Sequence, residues 1–188
     1  MKAILITLGV VVLGVLAIGG WLMGVRNDLV PQREAITAQW SQVDTVLQRR
    51  ADLIPNLVET VKGYAKQETQ IFTDIASARA SMGGARTPGE RISANGQLDS
   101  ALARLLVVVE NYPQLKSNEN FLRLHDEIAG AENRIAVERH KYNEAVLKYN
   151  TAIELFPANV VAGMFGFTRN DAYFKVDPAK REAPAVKF

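Results

Sequence analysis

Apolar residues recur at every seventh position in the stretch 117–156. They are Phe121, Ile128, Ile135, Tyr142, Tyr149 and Phe156. This spacing, typical of a coiled coil, keeps one side of an α-helix facing a partner. The positions three residues further on are mostly small, as interdigitating helices require: Leu124, Ala131, Glu138, Ala145 and Ala152. A helix of about 38 residues, roughly 57 Å long, cannot bury this seam alone, so the pattern predicts that the other segments pack on it.

A second set of apolar residues, spaced by three and four, runs between residues 27 and 82. Asn27, Asp28 and Pro31 indicate a helix start, and the buried face that follows is Ile36, Trp40, Val43 and Leu47. Pro55 has no N–H to donate to the carbonyl of Ala51, so we expect the chain to reverse there, with a kinked continuous helix as the alternative. A second helix is expected from about residue 55 to residue 82, before two glycines.

The segment that begins at Thr87 has a capping box, Thr87-Pro88-Gly89-Glu90, which predicts the start of a third helix. Its apolar face is Leu98, Ala101, Leu102, Leu105, Leu106 and Val109. Tyr112-Pro113 ends it, and Ser117 or Asn118 caps the long fourth helix. Because residues 26–156 show no alternation typical of strands, the sequence predicts an all-α fold, with an antiparallel up-and-down four-helix bundle over residues 27–168.

The first 26 residues contain an uncharged run, residues 3–25, between Lys2 and Arg26. At 1.5 Å per residue the run reaches about 34 Å, enough to cross a hydrocarbon layer of ~30 Å. It predicts an N-terminal transmembrane helix over residues 1–26, whereas a cleaved signal peptide is the competing interpretation. Gly20 and Gly24 form a GxxxG spacing that lets membrane helices approach closely, although the general tolerance of glycine in membrane helices is the favoured explanation of the spacing. The few flanking charges leave the side of the membrane undecided.

A short apolar segment follows the fourth helix. Its large side chains are Phe156, Val160, Val161, Met164, Phe165 and Phe167. Three roles stay open for it: contact with the lipid surface, contact with another subunit, or a plug over the open end of the bundle. Residues 169–188 have scattered charges, two prolines and no periodicity, which predicts a mobile tail.

The composition limits the classes of partner and of chemical site that the chain is expected to have. The net charge of +2 is too balanced for a polyanion-binding surface, so nucleic acid is not an expected partner. The chain has no cysteine, which removes thiol nucleophiles and zinc-thiolate sites. Its two histidines, His125 and His140, lie about 22 Å apart along one helix, too far to share a metal ion. No phosphate-binding loop is present, and we expect no cofactor, no metal site and no catalytic residue.

The polar candidates are therefore structural or interaction residues. Arg49 and Asp52 have the spacing of a helical ion pair, and Asp52 is also a candidate cap for the second helix. Asn143 and Asn150 follow two seam tyrosines with the same seven-residue spacing. They either fix the register of the helices, as buried amides do in coiled coils, or lie on a solvated edge.

Several motifs resemble the LemA family, in an order that covers nearly the whole chain. They are the run from Arg49 to Val58, the run Glu110-Asn111-Tyr112-Pro113-Gln114-Leu115-Lys116, the segment Asn118-Glu119-Asn120-Phe121, Glu132-Asn133-Arg134-Ile135, and the pairs Tyr142-Asn143 and Tyr149-Asn150. The resemblance implies a bacterial inner-membrane protein with one membrane helix, a four-helix soluble bundle and no established catalytic activity. Beyond Arg169 no family motif is recognised.

Three functions remain open at this point. The first is a membrane-anchored scaffold, not an enzyme, which forms homo-oligomers or docks an unidentified membrane protein through the bundle or the segment 156–167. The second is a membrane enzyme, which a cleft lined by several polar side chains would favour. The third is a sensor that couples the membrane helix to the bundle, with Pro55 as a hinge.

Overall fold

The computed structural model describes residues 2–175 and is all-helical over that range, with no β-strand. The helices are α1 (Lys2–Lys62), α2 (Thr69–Gly84), α3 (Pro88–Val109), α4 (Pro113–Lys116), α5 (Glu119–Glu154) and α6 (Ala158–Phe165). The predicted all-α class is confirmed. The described chain divides into two compact units, and α1 and α5 contribute to both. The first unit contains residues up to Gln39 and Tyr142–Asp171, and the second contains Trp40–Lys141 and residues 172–175.

Helix α1 is one continuous helix of 61 residues, which corrects two predictions. The helix start predicted at residues 27–31 is wrong, since α1 runs through these residues without a break and includes Pro31. The expected reversal at Pro55 is also wrong. The carbonyl of Ala51, which Pro55 leaves without its helical donor, accepts a hydrogen bond from Nε of Arg79 on α2 at 3.2 Å. The chain leaves α1 only at Lys62 and forms α2 from Thr69, so the second helix is shorter than predicted.

The predicted capping box at the start of α3 is confirmed. Oγ1 of Thr87 accepts a hydrogen bond from the backbone N–H of Glu90 at 3.2 Å. The Glu90 carboxylate in turn accepts from the backbone N–H groups of Arg86 and Thr87, at 2.7 and 3.2 Å. These two backbone donors, Arg86 first, lower the pKa of Glu90 from its ordinary value, because they stabilise the charged carboxylate.

The core of the second unit is built from apolar stripes on four helices. Helix α1 contributes Val43, Leu47, Ile54, Leu57 and Val61, α2 contributes Phe72, Ile75 and Met82, α3 contributes Leu98, Leu102, Leu105 and Val109, and α5 contributes Phe121, Leu124, Ala131 and Ile135. The predicted faces of these helices are thus confirmed except at Leu106, which is exposed, and at Trp40, which is half-buried. Asn118 is the residue that caps α5, since its Oδ1 accepts from the N–H of Phe121 at 3.0 Å.

The heptad seam of α5 is buried at Phe121, Ile135, Tyr142 and Tyr149, and half-buried at Ile128. The prediction that Phe156 belongs to this seam is wrong, because α5 ends at Glu154 and the side chain of Phe156 is 82% exposed. A straight helix turns by about 20° per heptad relative to a strict seven-residue repeat. The buried stripe therefore moves, and in the first unit Val146 and Ile153 are buried as well.

The first unit is completed by α6 and the extended segment after it. Gly166 ends α6 in the left-handed conformation, with φ of 71°, which a residue without a Cβ adopts readily. The remaining buried apolar side chains of this unit are Leu29, Ile36, Val161, Ala162 and Phe167. In the second unit, Phe174 stacks on Trp40 with ring centroids 6.2 Å apart. The predicted mobile tail therefore has contacts at its start, and residues 176–188 of it lie outside the described part.

Candidate functional site

Arg49 and Asp52 are both exposed on α1. Oδ1 of Asp52 accepts a hydrogen bond from Nε2 of Gln48, one helical turn earlier, at 2.8 Å. Asp52 does not cap a second helix, because it lies inside the continuous α1. The buried charge in this part of the chain belongs instead to the neighbouring Arg50, which is 3% exposed.

Arg50 is the centre of a polar cluster between α1, α3 and α5 in the second unit. Its Nη1 lies 2.6 Å from Oδ1 of Asp99 and its Nη2 lies 2.7 Å from Oε1 of Glu132. Nη1 also donates to Oδ1 of Asn95 at 3.1 Å, and Nδ2 of Asn95 donates to Asp99 at 3.1 Å. One guanidinium therefore links three helices through two carboxylates and a buried amide. A buried arginine is tolerated because its charge is compensated and most of its donors are used.

Arg50 is not among the residues predicted from the sequence as site residues, although its position on α1 carries a signal. The buried positions of α1 continue as Val43, Leu47, Ile54, Leu57 and Val61. Position 50 lies on the same face, three residues after Leu47 and four before Ile54. A charged residue within a buried stripe predicts a buried ion pair. The prediction instead chose the exposed Arg49, because its spacing from Asp52 is that of a helical ion pair.

A cavity of about 410 Å³ lies beside the Arg50 cluster, within the second unit. Its lining combines the polar residues Arg50, Asp99, His125, Glu132 and Arg139 with apolar residues that include Leu57, Leu102 and Ile128. Nε of Arg50 is buried and makes no hydrogen bond to any residue in the described range. The cavity is thus a mixed cleft rather than a dry apolar interior.

A second arginine fixes the junction of α2 and α3. Nε of Arg91 lies 2.8 Å from a carboxylate oxygen of Asp44, and Nη2 donates to Gln48 at 3.0 Å. Nη1 donates to the carbonyl of Met82, in the last turn of α2, where carbonyls have no helical partner. Arg91 therefore joins the C-terminal end of α2 to α1.

The N-terminal half of α5 borders an open groove of about 610 Å³ on the second unit. Its lining residues are Arg49, Glu119, Leu122, Arg123, Asp126, Glu127, Gly130, Ala131 and Arg134. Those on α5 recur at intervals of three and four and share one face of the helix. Three arginines and three carboxylates balance, and Leu122 is an exposed apolar residue among them. Arg49 is the one predicted site residue that contributes to this groove.

Asn150 is buried in the first unit and binds the segment after α6. Its Nδ2 donates to the carbonyl of Asn170 at 2.7 Å, and its Oδ1 accepts from the N–H of the same residue at 2.9 Å. The hydroxyl of Tyr149 donates to the carbonyl of Thr168 at 3.0 Å. Burial raises the pKa of the Tyr149 phenol, against a smaller opposing effect of Arg33. Asn150 therefore anchors a backbone segment, whereas Asn143 is half-buried on α5.

The apolar segment after α5 is divided between the interior and the surface. Val161 and Phe167 are buried, whereas Phe156, Val160, Met164 and Phe165 are exposed. The guanidinium of Arg26 lies 5.7 Å from the ring centroid of Phe165, and that of Arg33 lies 5.3 Å from the centroid of Phe167. Both are cation–π distances. The segment thus packs on the part of α1 that follows its apolar run.

The apolar run of α1 is the one described segment with the length and hydropathy of a membrane span, and none of its most apolar window is buried. Gly20 and Gly24 are exposed on it, with open space beside both. Their predicted role in helix association stays a prediction. Within residues 2–175, no group of three or more histidine, aspartate or glutamate side chains is arranged to hold a metal ion.

Residues 39–188 match the sequence profile of the LemA family. The chain belongs to the LemA family. The match includes the last twenty residues, where the sequence analysis recognised no family motif. It confirms the resemblance drawn from the motifs, and the buried Arg50 lies within the matched region.

Two sets of relatives accompany the family match. The chain is 30% identical to magnetosome proteins MamQ 1 and MamQ 2 of Paramagnetospirillum magneticum over 194 residues, covering 89% of this chain and 71% of each relative. It is 24% identical to protein LemA of Metamycoplasma hominis over 141 residues, covering 74% of this chain and 64% of that protein. Together with the apolar helix, LemA family membership indicates a membrane-associated protein.

Proposed function

We propose that this LemA family member is a membrane-anchored helical scaffold that docks a protein partner. Its anchor is the apolar run of α1, a single pass through the bacterial inner membrane. The scaffold is an up-and-down four-helix bundle made from the C-terminal part of α1, α2, α3 and the N-terminal half of α5. Contacts between these helices support the bundle: Arg79 bonds α2 to α1, Arg104 pairs with Asp74 across α3 and α2 at 3.0 Å, and Arg50 joins α1, α3 and α5.

The observation that carries this proposal is the contrast between Arg50 and the groove of α5. The buried guanidinium of Arg50 is bound to Asp99, Asn95 and Glu132, which holds three helices in place. The charges along the groove instead face solvent, and seven of the eight α5 residues that line it are exposed, Ala131 being the exception. A rigid support below an exposed, patterned surface is the arrangement that a docking site requires.

The chemistry of the groove fits a protein surface. Its charges cancel, so it offers little attraction to a polyanion. Arginine side chains, one exposed leucine and alternating signs of charge are typical of protein interfaces, where complementary charges set register and specificity. A second copy of this chain presents the same mixture of charges, and the mass of a crosslinked product distinguishes self-association from another partner.

The test uses the absence of native cysteine. A Leu122→Cys variant, labelled with a photoreactive maleimide in intact membranes, is expected to form one product of defined mass. The double variant Arg123→Glu/Arg134→Glu on that background should reduce its yield by about tenfold, since reversed charges repel the partner. Val107→Cys, exposed on α3 outside the groove, is the matched control. Equal products at both cysteines, or a yield unaffected by charge reversal, would contradict docking at the groove.

A second candidate function, a membrane enzyme, is favoured by the cavity beside Arg50. Its carboxylates and histidine are residue types that act in acid–base chemistry, and Nε of Arg50 is buried without a partner in the described range. A small molecule that raises the melting temperature of the native protein, but not of an Ala103→Trp variant with the cavity filled, would support this function. We favour the scaffold because the ion pairs already occupy both terminal nitrogens of Arg50.

A further inference from the structure

Exposed apolar side chains are concentrated at α6. Among described residues beyond Arg26, eleven large apolar side chains are exposed, and five of them fall between residues 155 and 165. These five, which we call the apolar face, are Leu155, Phe156, Val160, Met164 and Phe165. Scattered single apolar residues are ordinary on a protein surface, whereas a contiguous patch marks an interaction site.

Helix α6 has two different sides. Val161 and Ala162 point into the first unit and are 0% and 3% exposed. Val160 and Met164, four residues apart, share the outward side of the helix, and residues 158–165 include no charged side chain. Because the inward side already fills the interior, a plug accounts for Val161 but not for Val160 and Met164.

The apolar face lies next to the end of the apolar run. Arg26 is the first charged residue after that run, and its guanidinium stacks on the ring of Phe165. In the last turn of the run, the side chains of Leu22 and Val25 are half-buried. Those of Trp21 and Met23, on other sides of the same turn, are exposed. The packing of the first unit therefore begins within the run itself, at the depth where an anchored helix leaves the hydrocarbon layer.

We propose that the apolar face rests on the surface of the same bilayer that α1 crosses, with Val160, Met164 and Phe156 in the boundary between headgroups and acyl chains. This inference rests on the proposed membrane anchoring. Helices that lie on membranes normally combine an apolar side with basic residues. Helix α6 has none, but Arg26 and Arg33 of α1 supply the basic groups beside it.

A lipid surface accounts for this arrangement better than a second copy of the chain. The exposed side of α1 is apolar up to Met23, and the apolar face begins beside the next charged residue. The two surfaces are therefore continuous, so a bilayer that covers one reaches the other. A neighbouring protein would need an apolar surface at the same depth.

The test compares three single-cysteine variants of the full chain, each labelled with an environment-sensitive fluorophore and reconstituted into vesicles of phosphatidylethanolamine and phosphatidylglycerol. Val160→Cys reports the apolar face, and Val10→Cys reports insertion of α1. Leu147→Cys, exposed on α5 in the same unit, is the matched control. Lipids with a nitroxide on a shallow acyl carbon should quench Val160 at least about twofold more than Leu147, because they reach only labels within the interface.

Each outcome decides the inference. Strong quenching at Val160 supports it. Quenching at Val160 no greater than at Leu147 overturns it, and a shielded label at Val160 that nitroxide lipids do not quench overturns it in favour of a protein occupant. The Val10 label decides anchoring separately, with lipids that carry the nitroxide deep on the acyl chain, since Val10 lies well inside the apolar run. If Val10 is quenched and Val160 is not, the anchor stands and only the role of the apolar face is wrong.

Discussion

The two units hold their parts together by different polar groups. In the second unit a charged guanidinium, Arg50, joins three helices through Asp99, Glu132 and Asn95. In the first unit neutral groups, the amide of Asn150 and the hydroxyl of Tyr149, hold a backbone segment at Asn170 and Thr168. Both clusters pair most of their buried polar atoms, Nε of Arg50 being an exception.

This difference in polar groups determines how much stability each unit loses when one of them is removed. Removing one member of a buried ion pair leaves an uncompensated charge, which destabilises a protein strongly. Removing a neutral donor or acceptor leaves a dipole without a partner, which is less costly. We therefore expect the second unit to depend on one side chain for global stability, and the first unit to lose a local attachment when its polar groups are removed.

The largest expected effect comes from Arg50→Ala. The variant leaves Asp99 and Glu132 without their cation, and we expect a loss of about 3 kcal/mol in the free energy of unfolding, the low end for buried pairs because Glu132 stays partly hydrated. Chemical denaturation of the purified protein in detergent measures it. Arg49→Ala, one residue earlier and exposed, is the matched control and should change stability by less than about 0.5 kcal/mol. Equal effects would show that Arg50 does not hold the helices together.

A smaller and more local effect is expected from Asn150→Ala. The substitution removes both hydrogen bonds to Asn170 and should reduce stability by about 1–2 kcal/mol. Backbone hydrogen exchange should accelerate at residues 168–171 while the amides of α3 keep their protection, since the attachment is confined to the first unit. Asn159→Ala, exposed on α6, is the control. Faster exchange throughout α3 would contradict a local role.

The sequence predicts a feature of this fold well where the interacting residues are close together along the chain, and poorly where they are far apart. Thr87 and Glu90 are three residues apart and satisfy each other, so the capping box could be predicted in full. The partner of the Ala51 carbonyl is Arg79, 28 residues away. Without that long-range donor, Pro55 indicates a helix end, and so the reversal predicted there was wrong.

The candidate site shows the same limit. The apolar character of residues 156–167 was evident, but the division between Val161 inside and Val160 outside depends on how α6 packs. Asn150 was identified from its spacing, whereas its partner is the backbone of Asn170, which carries no sequence signal. Arg50 could have been found from its place on the buried face of α1, although its partners on α3 and α5 could not.

The smallest expected effect is a pH dependence of stability, which arises in acid from Glu90 in the second unit and in alkali from Tyr149 in the first. The pKa of Glu90 in the second unit is lowered on folding, so its contribution to stability is present above its ordinary value of 4.5 and is lost as pH falls through the folded pKa. The pKa of Tyr149 in the first unit is raised above its ordinary 10.0, so its contribution is present below that pH and is lost as pH rises through the folded pKa. The melting temperature of the native protein should therefore approach that of Glu90→Gln in acid and that of Tyr149→Phe in alkali. Thermal melts of all three proteins across both ranges measure the two differences. If either difference stays constant across its range, that residue does not couple folding to protonation.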